Sequence, residues 1–527
     1  MERFDYLIPA VRGRAEKGSG RLALPMELGV EYGGFASWCV TVFMDRTGRK
    51  PGGQDIILFL NRKEELAEEG YEITITKEKI QVSASTERGV VWALTTVALL
   101  LEEESVPCGT ISDSPKYQHR GLSVDCARHF FPAAEIKKII EEISLAKMNV
   151  LHWHLTDDQG WRIESRRFPG LQKMSGQYYS QEEIREVCEY ARLRGVEIIP
   201  EVDMPGHVSA LLAAYPQYSC GEKPVKIKTG GGIFPVILCA GKEAVFDFLK
   251  DLLMEVTGLF PGERFHLGGD EAPKTEWKKC PCCQAKMLEL GLEDWEELQG
   301  YFMSRVSEIL AGLGKTAVCW NETLCAANHP QKMQAQYWTL EQRKAMEPYA
   351  LAGKEWIYSD MFELYLDYPY SMTNLKKVYE TIPHLGEEDV SGKEGLLGME
   401  GCLWSEHITK CEKLEKLLFP RIYALADNTW SGADKYEEFT SRLTQAIASP
   451  LHQGILYTSR DWWTPTGPER QQEAFAYMAS LSANMSEEVK EETMDSSSAS
   501  NEEFGRAFMT KFFQPEDIPI LMGEMQK

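Results

Sequence analysis

Eight short apolar segments, separated by helix-like stretches, recur from residue 119 onward and constrain the fold more than any other feature of the chain. Each is six to eight residues long, which is typical of strands buried in a parallel sheet. The segments are RGLSVDC (120–126), NVLHWHL (149–155), VEIIPEV (196–202), RFHLGG (264–269), TAVCWN (316–321), KMQAQYW (332–338), EWIYSD (355–360) and LGMEGCLW (397–404).

Amphipathic helix patterns fill the intervals between these segments. Isoleucines at 136, 139, 140 and 143 follow the spacing of one helix face, and further helices are predicted over 181–193, 243–258, 293–312 and 411–429. Eight strands alternating with helices are the count of a (β/α)8 TIM barrel, although a doubly wound open sheet shows the same alternation. The pattern therefore predicts an α/β fold and favours the barrel.

The sequence patterns before and after this region predict other arrangements of strands and helices. Strand-like runs at 55–61, 71–76 and 79–86, followed by an apolar helix at 88–102, predict a small α/β domain. A chain of 527 residues also exceeds the roughly 250–300 residues that one core supports. We predict a small N-terminal α/β domain (1–115), a catalytic barrel (116–433) and a mostly helical C-terminal extension (434–527), with a helix at 468–483 and a low-complexity linker around 486–504.

Charge and hydropathy limit the partners and the location of the protein. Asp and Glu number 80 against 57 Lys and Arg, a net charge of −23 that repels phosphate backbones and anionic lipid. No stretch of about 18 apolar residues occurs, and the first residues carry no signal-peptide pattern. We expect a cytoplasmic protein that binds neither nucleic acid nor membranes, and the sequence leaves its oligomeric state open.

The 13 cysteines indicate reduced thiols more than a disulfide framework. Their number is odd, and several lie inside strand-like runs. Only Cys280, Cys282 and Cys283 cluster, in WKKCPCCQAK, and no fourth ligand lies nearby at a spacing that suits zinc. We therefore predict no metal and no cofactor, and the role of these three cysteines stays open.

Polar and aromatic side chains follow the predicted strands. Enzymes with this barrel fold have their catalytic residues at these carboxyl-terminal strand ends. Phosphate-loop, dinucleotide, nucleophile-elbow and HExxH motifs are absent from the sequence. His152 and His154 would suit either a metal or core histidines satisfied by carboxylates, and the TGGGI run (229–233) reads as a flexible turn. The strand-end residues are Asp125, Arg128, His129, His154, Asp157, Asp158, Glu201, Asp203, His207, Asp270, Glu271, Trp320, Glu322, Trp338, Tyr365, Asp367, Trp404 and Glu406.

A pocket rich in carboxylates and tryptophans suits a sugar. Aromatic faces stack on the C–H surface of a pyranose, while Asp, Glu and Arg bind its hydroxyls. Glycoside hydrolysis also needs a general acid and a group that stabilises an oxocarbenium-like centre. Asp270 and Glu271 can supply one of each. Adjacent strand residues point to opposite sides, so the two side chains share one task only if Gly268 and Gly269 distort the strand end.

Six blocks in a fixed order resemble the family 20 glycoside hydrolases, the β-N-acetylhexosaminidases. The resemblance covers about 119–430, and YEITITKEKIQVSASTERGVVWALTTVALLL is similar to the α/β domain that precedes the barrel in that family. The blocks are RGLSVDCARHFFP (120–132), MNVLHWHLTDDQGWRIE (148–164), IPEVDMPGH (199–207), FHLGGDE (265–271), ELYLDY (363–368) and CLWSEH (402–407).

The resemblance implies a retaining, substrate-assisted reaction, in which the 2-acetamido carbonyl of the substrate attacks the anomeric carbon and forms an oxazolinium ion. It implies that Glu271 is the general acid and then the base, and that His207 and Asp157 tune its pKa. Asp270 would accept the acetamido N–H, and Tyr365 would donate to the acetamido oxygen.

The remaining matched residues would bind the sugar. The resemblance implies that Arg128 holds the 3- and 4-hydroxyls and that Asp367 and Glu406 hold the 4- and 6-hydroxyls. Trp320, Trp338 and Trp404 would wall the pocket. Two acids near the 6-position disfavour an anionic sugar, so a glycan ending in a neutral GlcNAc or GalNAc is the expected substrate. The alternatives are a lacto-N-biosidase on the same residues, or a carbohydrate-binding protein without catalysis.

Overall fold

The computed structural model describes residues 3–484, 508–513 and 517. Within these residues no helix combines the length and the apolar composition needed to cross a membrane. The low-complexity stretch predicted around 486–504 lies outside the described residues.

The N-terminal region is a six-stranded mixed sheet in the order β1-β6-β4-β5-β3-β2. The three predicted strands and the predicted helix are all present, joined by three strands that the pattern did not reveal. The elements are β1 (Arg14–Ala23), β2 (Glu27–Glu31), α1 (Thr41–Thr47), β3 (Lys50–Arg62), β4 (Tyr71–Ile75), β5 (Ile80–Ala84), α2 (Glu87–Leu100) and β6 (Ser105–Asp113).

Helix α2 is apolar around its whole circumference because it is buried between this sheet and the following region. Thr86 caps its first turn by accepting the N–H of Gly89, and its core cluster includes Leu145 and Trp430 from the barrel side. Buried Glu69 accepts hydrogen bonds from the Trp92 indole and from Arg120, the second residue of the first barrel strand. The buried ion pair between Glu69 and Arg120 therefore joins the N-terminal region to the barrel.

The eight apolar segments form a closed parallel barrel, so the TIM-barrel prediction is confirmed over the open sheet. Its strands are β7 (His119–Asp125), β8 (Val150–His154), β11 (Glu197–Glu201), β12 (Arg264–His266), β13 (Thr316–Trp320), β14 (Met333–Tyr337), β15 (Trp356–Tyr358) and β18 (Leu396–Leu403). Two short antiparallel ribbons lie in the connections, β9 (Thr156–Asp157) with β10 (Gly160–Trp161), and β16 (His384–Leu385) with β17 (Glu388–Asp389).

Helices surround the barrel and confirm the predicted periodicity, with α5 starting at a Ser180–Glu183 capping box. They are α3 (Ala133–Leu145), α4 (Gly170–Ser175), α5 (Gln181–Leu193), α6 (Ser209–Ala214), α7 (Glu243–Thr257), α8 (Thr275–Lys279), α9 (Pro281–Leu290), α10 (Trp295–Gly312), α11 (Arg343–Leu351), α12 (Met361–Leu364), α13 (Leu375–Glu380), α14 (Cys411–Leu418) and α15 (Arg421–Ser431).

Two predicted boundaries are wrong for identifiable reasons. The single helix predicted over 411–429 is two helices, α14 and α15, because Pro420 has no N–H to continue the first one. The strand predicted over 264–269 ends at His266, because Gly268 and Gly269 adopt positive φ angles of 69° and 95°.

The C-terminal extension contains α16 (Tyr436–Ala446) and α17 (Gly467–Asn484), which matches the helix predicted over 468–483. Residues of α17 and of 508–513 pack together against the loops after β15 and β18. This packing forms a small aromatic core with Phe362, Tyr365 and Tyr368. The extension thus lies against the mouth of the barrel.

Candidate active site

All eleven predicted site residues lie at the carboxyl-terminal ends of barrel strands or in the loops that follow them. The structure gathers them into three adjoining groups around the barrel mouth. Asp157, His207, Asp270 and Glu271 form the first group, Arg128, Asp367 and Glu406 the second, and Trp320, Trp338, Tyr365 and Trp404 the third.

The GGDE turn brings two adjacent carboxylates to the same side of the chain. A Cβ at Gly268 would collide with the Asp203 carboxylate, so only glycine allows this approach. Glu271 itself has a φ of 44°, and its N–H donates to Glu322 Oε2 at 2.9 Å. Gly268 and Gly269 therefore distort the strand end, which is the condition for Asp270 and Glu271 to act at one place. Both carboxylates face His207.

His207 links these acids to Asp157. Its Nε2 lies 3.4 Å from Glu271 Oε2 and 3.8 Å from Asp270 Oδ2, while its Nδ1 lies 3.2 Å from Asp157 Oδ1. Burial lowers the His207 pKa, but the Asp157 charge and the facing carboxylates outweigh burial and hold the pKa well above its usual value. The imidazole is therefore a charged bridge between the two sides of the site.

Asp157 is the fixed anion behind this bridge. Burial raises its pKa, but Arg128 and then His207 outweigh that effect and hold the pKa well below its usual range. Its Oδ2 also lies 2.8 Å from an Arg128 nitrogen and 3.0 Å from His154 Nε2. Three cationic or imidazole groups thus share one buried carboxylate.

The pKa of Asp270 lies close to neutral pH. Burial and the charges of Glu201 and Glu271 raise its pKa to about 6, with His207 acting in the opposite direction. Its Oδ1 is buried and has no hydrogen-bond partner among the described residues. A buried acceptor without a donor is costly, and it suits an N–H supplied by a ligand.

Glu322 is a site residue whose role the sequence analysis did not predict. It is partly buried two residues beyond β13. Loss of solvent together with the charges of Asp270 and Glu271 raises its pKa well above the usual value. By accepting the Glu271 N–H it fixes the turn on which both acids stand. Its position beside Trp320 at a strand end was the available signal.

Arg128 organises the second group. Its guanidinium lies 3.7 Å from Glu406 Oε1 and 5.2 Å from the centre of the Trp404 ring. Asp125 holds the start of this loop by accepting the Arg128 N–H at 3.1 Å. The Arg128 Nε is buried without a hydrogen-bond partner among the residues described, so the group keeps a free donor.

Aromatic rings form three sides and the base of the pocket. Trp338 stacks parallel to Tyr365 with 6.2 Å between ring centres, and Tyr365 meets Trp404 edge-on at 5.9 Å. Trp320 is only 1% exposed and donates its indole N–H to Glu201 at 2.9 Å, beneath Trp404. Trp320 therefore belongs to the base of the pocket, whereas the other three form its sides.

The C-terminal extension adds a residue that sequence reasoning missed. The Tyr477 hydroxyl of α17 lies within hydrogen-bonding reach of Asp367, and its ring packs on Tyr368 and His407. Burial and the Glu406 charge raise the Asp367 pKa to about 8. Nothing in the sequence near residue 477 links it to Asp367, which lies more than a hundred residues upstream.

Below the pocket, the two candidate metal-binding histidines are core histidines paired with carboxylates. His152 Nδ1 lies 2.8 Å from Glu400 and its Nε2 lies 3.0 Å from Glu201, while His154 contacts Glu201 and Asp157. His152, Glu201 and His266 bring ligand atoms within 4.8 Å of one another, as do Asp157, Asp203 and His207. These atoms already pair with each other or with other protein groups, which accounts for both clusters without an ion.

A TIM barrel whose mouth holds adjacent carboxylates, a bridging imidazole and several aromatic rings suits a carbohydrate-processing enzyme of the glycoside hydrolase class. Comparison with known families matches residues 117–433 to the catalytic domain of glycosyl hydrolase family 20 and residues 40–114 to domain 2 of the same family. The chain belongs to glycosyl hydrolase family 20 and is a glycoside hydrolase.

Curated relatives agree with this assignment. A beta-hexosaminidase of Porphyromonas gingivalis is 32% identical over 78% of this chain, and the matched region spans 57% of that relative's length. A beta-hexosaminidase of Akkermansia muciniphila is 31% identical, over 72% of this chain and 83% of the relative.

Solved structures share the fold over most of the chain. The β-N-acetylhexosaminidase of Bacteroides fragilis has a TM-score of 0.78 and 29% identity, covering 86% of this chain and 99% of its own. The exo-β-N-acetylglucosaminidase of Vibrio harveyi, solved in complex with N-acetylglucosamine, has a TM-score of 0.78 and 26% identity, covering 87% of this chain and 79% of its own.

Proposed function

We propose that the protein is an exo-acting β-N-acetylhexosaminidase that removes terminal non-reducing GlcNAc or GalNAc from glycans by a retaining, substrate-assisted reaction. The observation that carries the proposal is the unpartnered, buried Oδ1 of Asp270, held beside Glu271 and facing His207. The relatives named above are hexosaminidases, and the Vibrio harveyi enzyme binds N-acetylglucosamine, which supports the same substrate class.

In the first step, the acetamido carbonyl oxygen attacks the anomeric carbon, and the bond to the leaving oxygen breaks. Glu271 gives its proton to that oxygen, and Asp270 accepts the acetamido N–H, which orients the group and stabilises the positive charge of the oxazolinium ion. Tyr365 donates to the acetamido oxygen from the side wall. No protein nucleophile takes part in this step.

In the second step, Glu271 takes a proton from a water molecule, and the water oxygen bonds to the anomeric carbon. The bond between that carbon and the acetamido oxygen breaks, so the ring opens with net retention of configuration. The charged His207, held between Asp157 and Glu271, stabilises the carboxylate that Glu271 has become. Arg128, Asp367 and Glu406 bind hydroxyls of the terminal sugar. Tyr477 of the extension lies beside Asp367 and packs on Tyr368, which favours a single terminal residue. This argues against a lacto-N-biosidase, which needs room for a second sugar.

The decisive experiment compares leaving groups. We expect Asp270→Asn to lower kcat about 10²–10³-fold for every aryl 2-acetamido glycoside, because it removes the acceptor that orients the internal nucleophile. Glu271→Gln should slow poor leaving groups strongly and spare activated aryl glycosides, since these need no acid. Glu276→Gln on α8, outside the pocket, is the matched control and should retain the parental rates.

Equal losses across leaving groups in Glu271→Gln would refute the assignment of the acid. A thiazoline mimic of the cyclised intermediate should inhibit strongly, and comparable turnover of plain glucosides and GlcNAc glycosides would refute acetamido assistance. Sugar binding without turnover in the unmodified protein would favour the silent carbohydrate-binding alternative.

A further inference from the structure

Four cysteines from two separate connections converge on one side of the barrel mouth. Cys239, Cys280 and Cys283 are buried and Cys220 is partly buried. The Sγ of Cys239 lies 3.7 Å from that of Cys280 and 3.6 Å from that of Cys283, and the sulfurs of Cys220 and Cys283 are 3.8 Å apart. All four sulfurs lie within 4.8 Å of one another.

These separations suit a metal ion at the centre of the group. Zinc–thiolate bonds of about 2.3 Å in a tetrahedron place neighbouring sulfurs about 3.8 Å apart. We propose, in place of the sequence prediction of no metal, that Cys220, Cys239, Cys280 and Cys283 bind one structural Zn²⁺ as thiolates. Four protein ligands leave no open position for water or substrate, so the site stabilises structure and does no chemistry.

The local backbone is built to hold the ligands together. Cys280 and Cys283 form a C-x2-C pair at the start of α9, where Pro281 occupies the first turn and the helix N-terminus favours negative charge. A Cβ at Gly241 would collide with the backbone of Cys282, so glycine lets the chain segment that carries Cys239 approach this turn. The backbone N–H of Gly241 also hydrogen-bonds to the Cys239 sulfur.

Hydrogen bonds from neighbouring side chains hold the backbone next to Cys220 and next to Cys239. Lys242 Nζ donates to the carbonyls of Gln217 at 3.0 Å and Ser219 at 2.7 Å, next to Cys220. This ammonium offsets part of the net negative charge of a zinc ion with four thiolates. The buried Trp277 donates its indole N–H to the Leu238 carbonyl at 2.8 Å, just before Cys239.

The site joins the two connections that carry the proposed chemistry. Cys220 and Cys239 lie in the connection after β11, which also carries His207, and Cys280 and Cys283 follow the GGDE turn after β12. Between the first two cysteines, the Gly230 carbonyl accepts from Gln159 at 2.8 Å, and Gly231 lies beside Glu406 at the pocket rim. A metal here would fix the positions of His207, Glu271 and the pocket rim relative to one another.

Zinc content of the full-length protein is the first test. After purification without chelators, elemental analysis should find one zinc per chain. Exchange for Co²⁺ should give the thiolate-to-metal charge-transfer band and the intense visible bands of tetrahedral cobalt. Purified protein that holds no metal and gives no such spectrum with added Co²⁺ would overturn the proposal.

Variants locate the metal. Cys239→Ser and Cys283→Ser should lose bound zinc, whereas the controls Cys282→Ser and Cys325→Ser, both at exposed cysteines, should keep it. Equal zinc loss in Cys282→Ser would contradict the assignment of ligands. Because a ligand variant can fail to fold, the cobalt spectrum of the unmodified protein and its thiol count stand as independent readouts.

Thiol counting and proteolysis separate zinc from disulfides. Denaturation in a chelator without reductant should expose all 13 thiols, and fewer thiols with no zinc would mean disulfides instead. Chelation alone should speed tryptic cleavage after the exposed Lys226, between Cys220 and Cys239, whereas reductant alone should not. Acceleration by reductant but not by chelator would overturn the proposal.

Discussion

Two layers of carboxylates lie in the same barrel and behave in opposite ways. The lower layer, Glu201 and Glu400, pairs with histidines in the barrel interior. Burial raises both pKa values, but the neighbouring imidazoles outweigh it and hold them below the usual range. In the upper layer, Asp270, Glu322, Asp367 and Glu406, burial and nearby carboxylates raise the pKa values.

The lower layer is fully buried and the upper layer only partly buried. Loss of solvent raises the pKa values in both layers, so the neighbouring groups decide the outcome. The lower layer is a satisfied ion-pair network, which fixes the barrel floor under Trp320 and Trp404. The upper layer keeps like charges and unpartnered atoms close together at the mouth, where a polar substrate can relieve them. The difference separates residues that stabilise the fold from residues that we propose bind the substrate.

The strongest test of this comparison removes a carboxylate from the lower layer. Glu400→Gln should lower the free energy of unfolding by about 3–5 kcal/mol, because Glu400 pairs with His119 and His152 at 2.8 Å each and a buried imidazole would lose its counter-ion. Urea unfolding measures this change. Glu406→Gln, six residues along the same chain segment, is the matched control and should lose activity without comparable destabilisation.

The pH dependence of turnover tests the upper layer. In the proposed reaction the Asp270 carboxylate is the form that accepts the acetamido N–H, and its pKa is raised to about 6 by burial and nearby acids. We therefore expect kcat/KM to fall about tenfold per pH unit below that value as Asp270 gains a proton. In Asp270→Asn the residual activity should lack this acid limb. An unchanged limb in that variant would assign it to another group.

Neutralising Asp367 should stabilise the fold. Because its pKa is raised to about 8, the folded state binds its proton more tightly than the unfolded state does, so this group costs stability as pH rises from about 4 to 8. Asp367→Asn should therefore gain roughly 1–3 kcal/mol over the parent at pH 7 and little at pH 4, with weaker substrate binding. A stability gain that does not depend on pH would contradict this explanation.

The smallest expected effect concerns the extension. Tyr477→Phe removes the hydroxyl that faces Asp367, so KM should rise about two- to fivefold, which corresponds to no more than about 1 kcal/mol, while the melting temperature stays near the parental value. Gln472→Ala, exposed on the same helix, is the control and should change neither quantity. A KM unchanged in Tyr477→Phe would mean that the extension only packs against the pocket.

Much of the barrel and the site could be predicted from local patterns. The strand NVLHWHL alternates residues that face the helices with residues that face the barrel interior, and the site residues follow strand ends in chain order. The same pattern could not tell whether His152 and His154 meet a metal or a carboxylate, because Glu201 and Glu400 come from other strands. Residue limits for the three predicted domains remain predictions.

The sequence by itself determined the eight strands, their order and the identities of the strand-end residues, because strand and helix periodicities arise from local backbone geometry. Only the tertiary structure decided which carboxylates share a neighbourhood, how the GGDE turn aims Glu271, and that Tyr477 reaches Asp367. It also decided that Cys220 and Cys239 meet Cys280 and Cys283. These features depend on barrel closure, which brings distant segments within a few ångströms and sets the charge around each buried group.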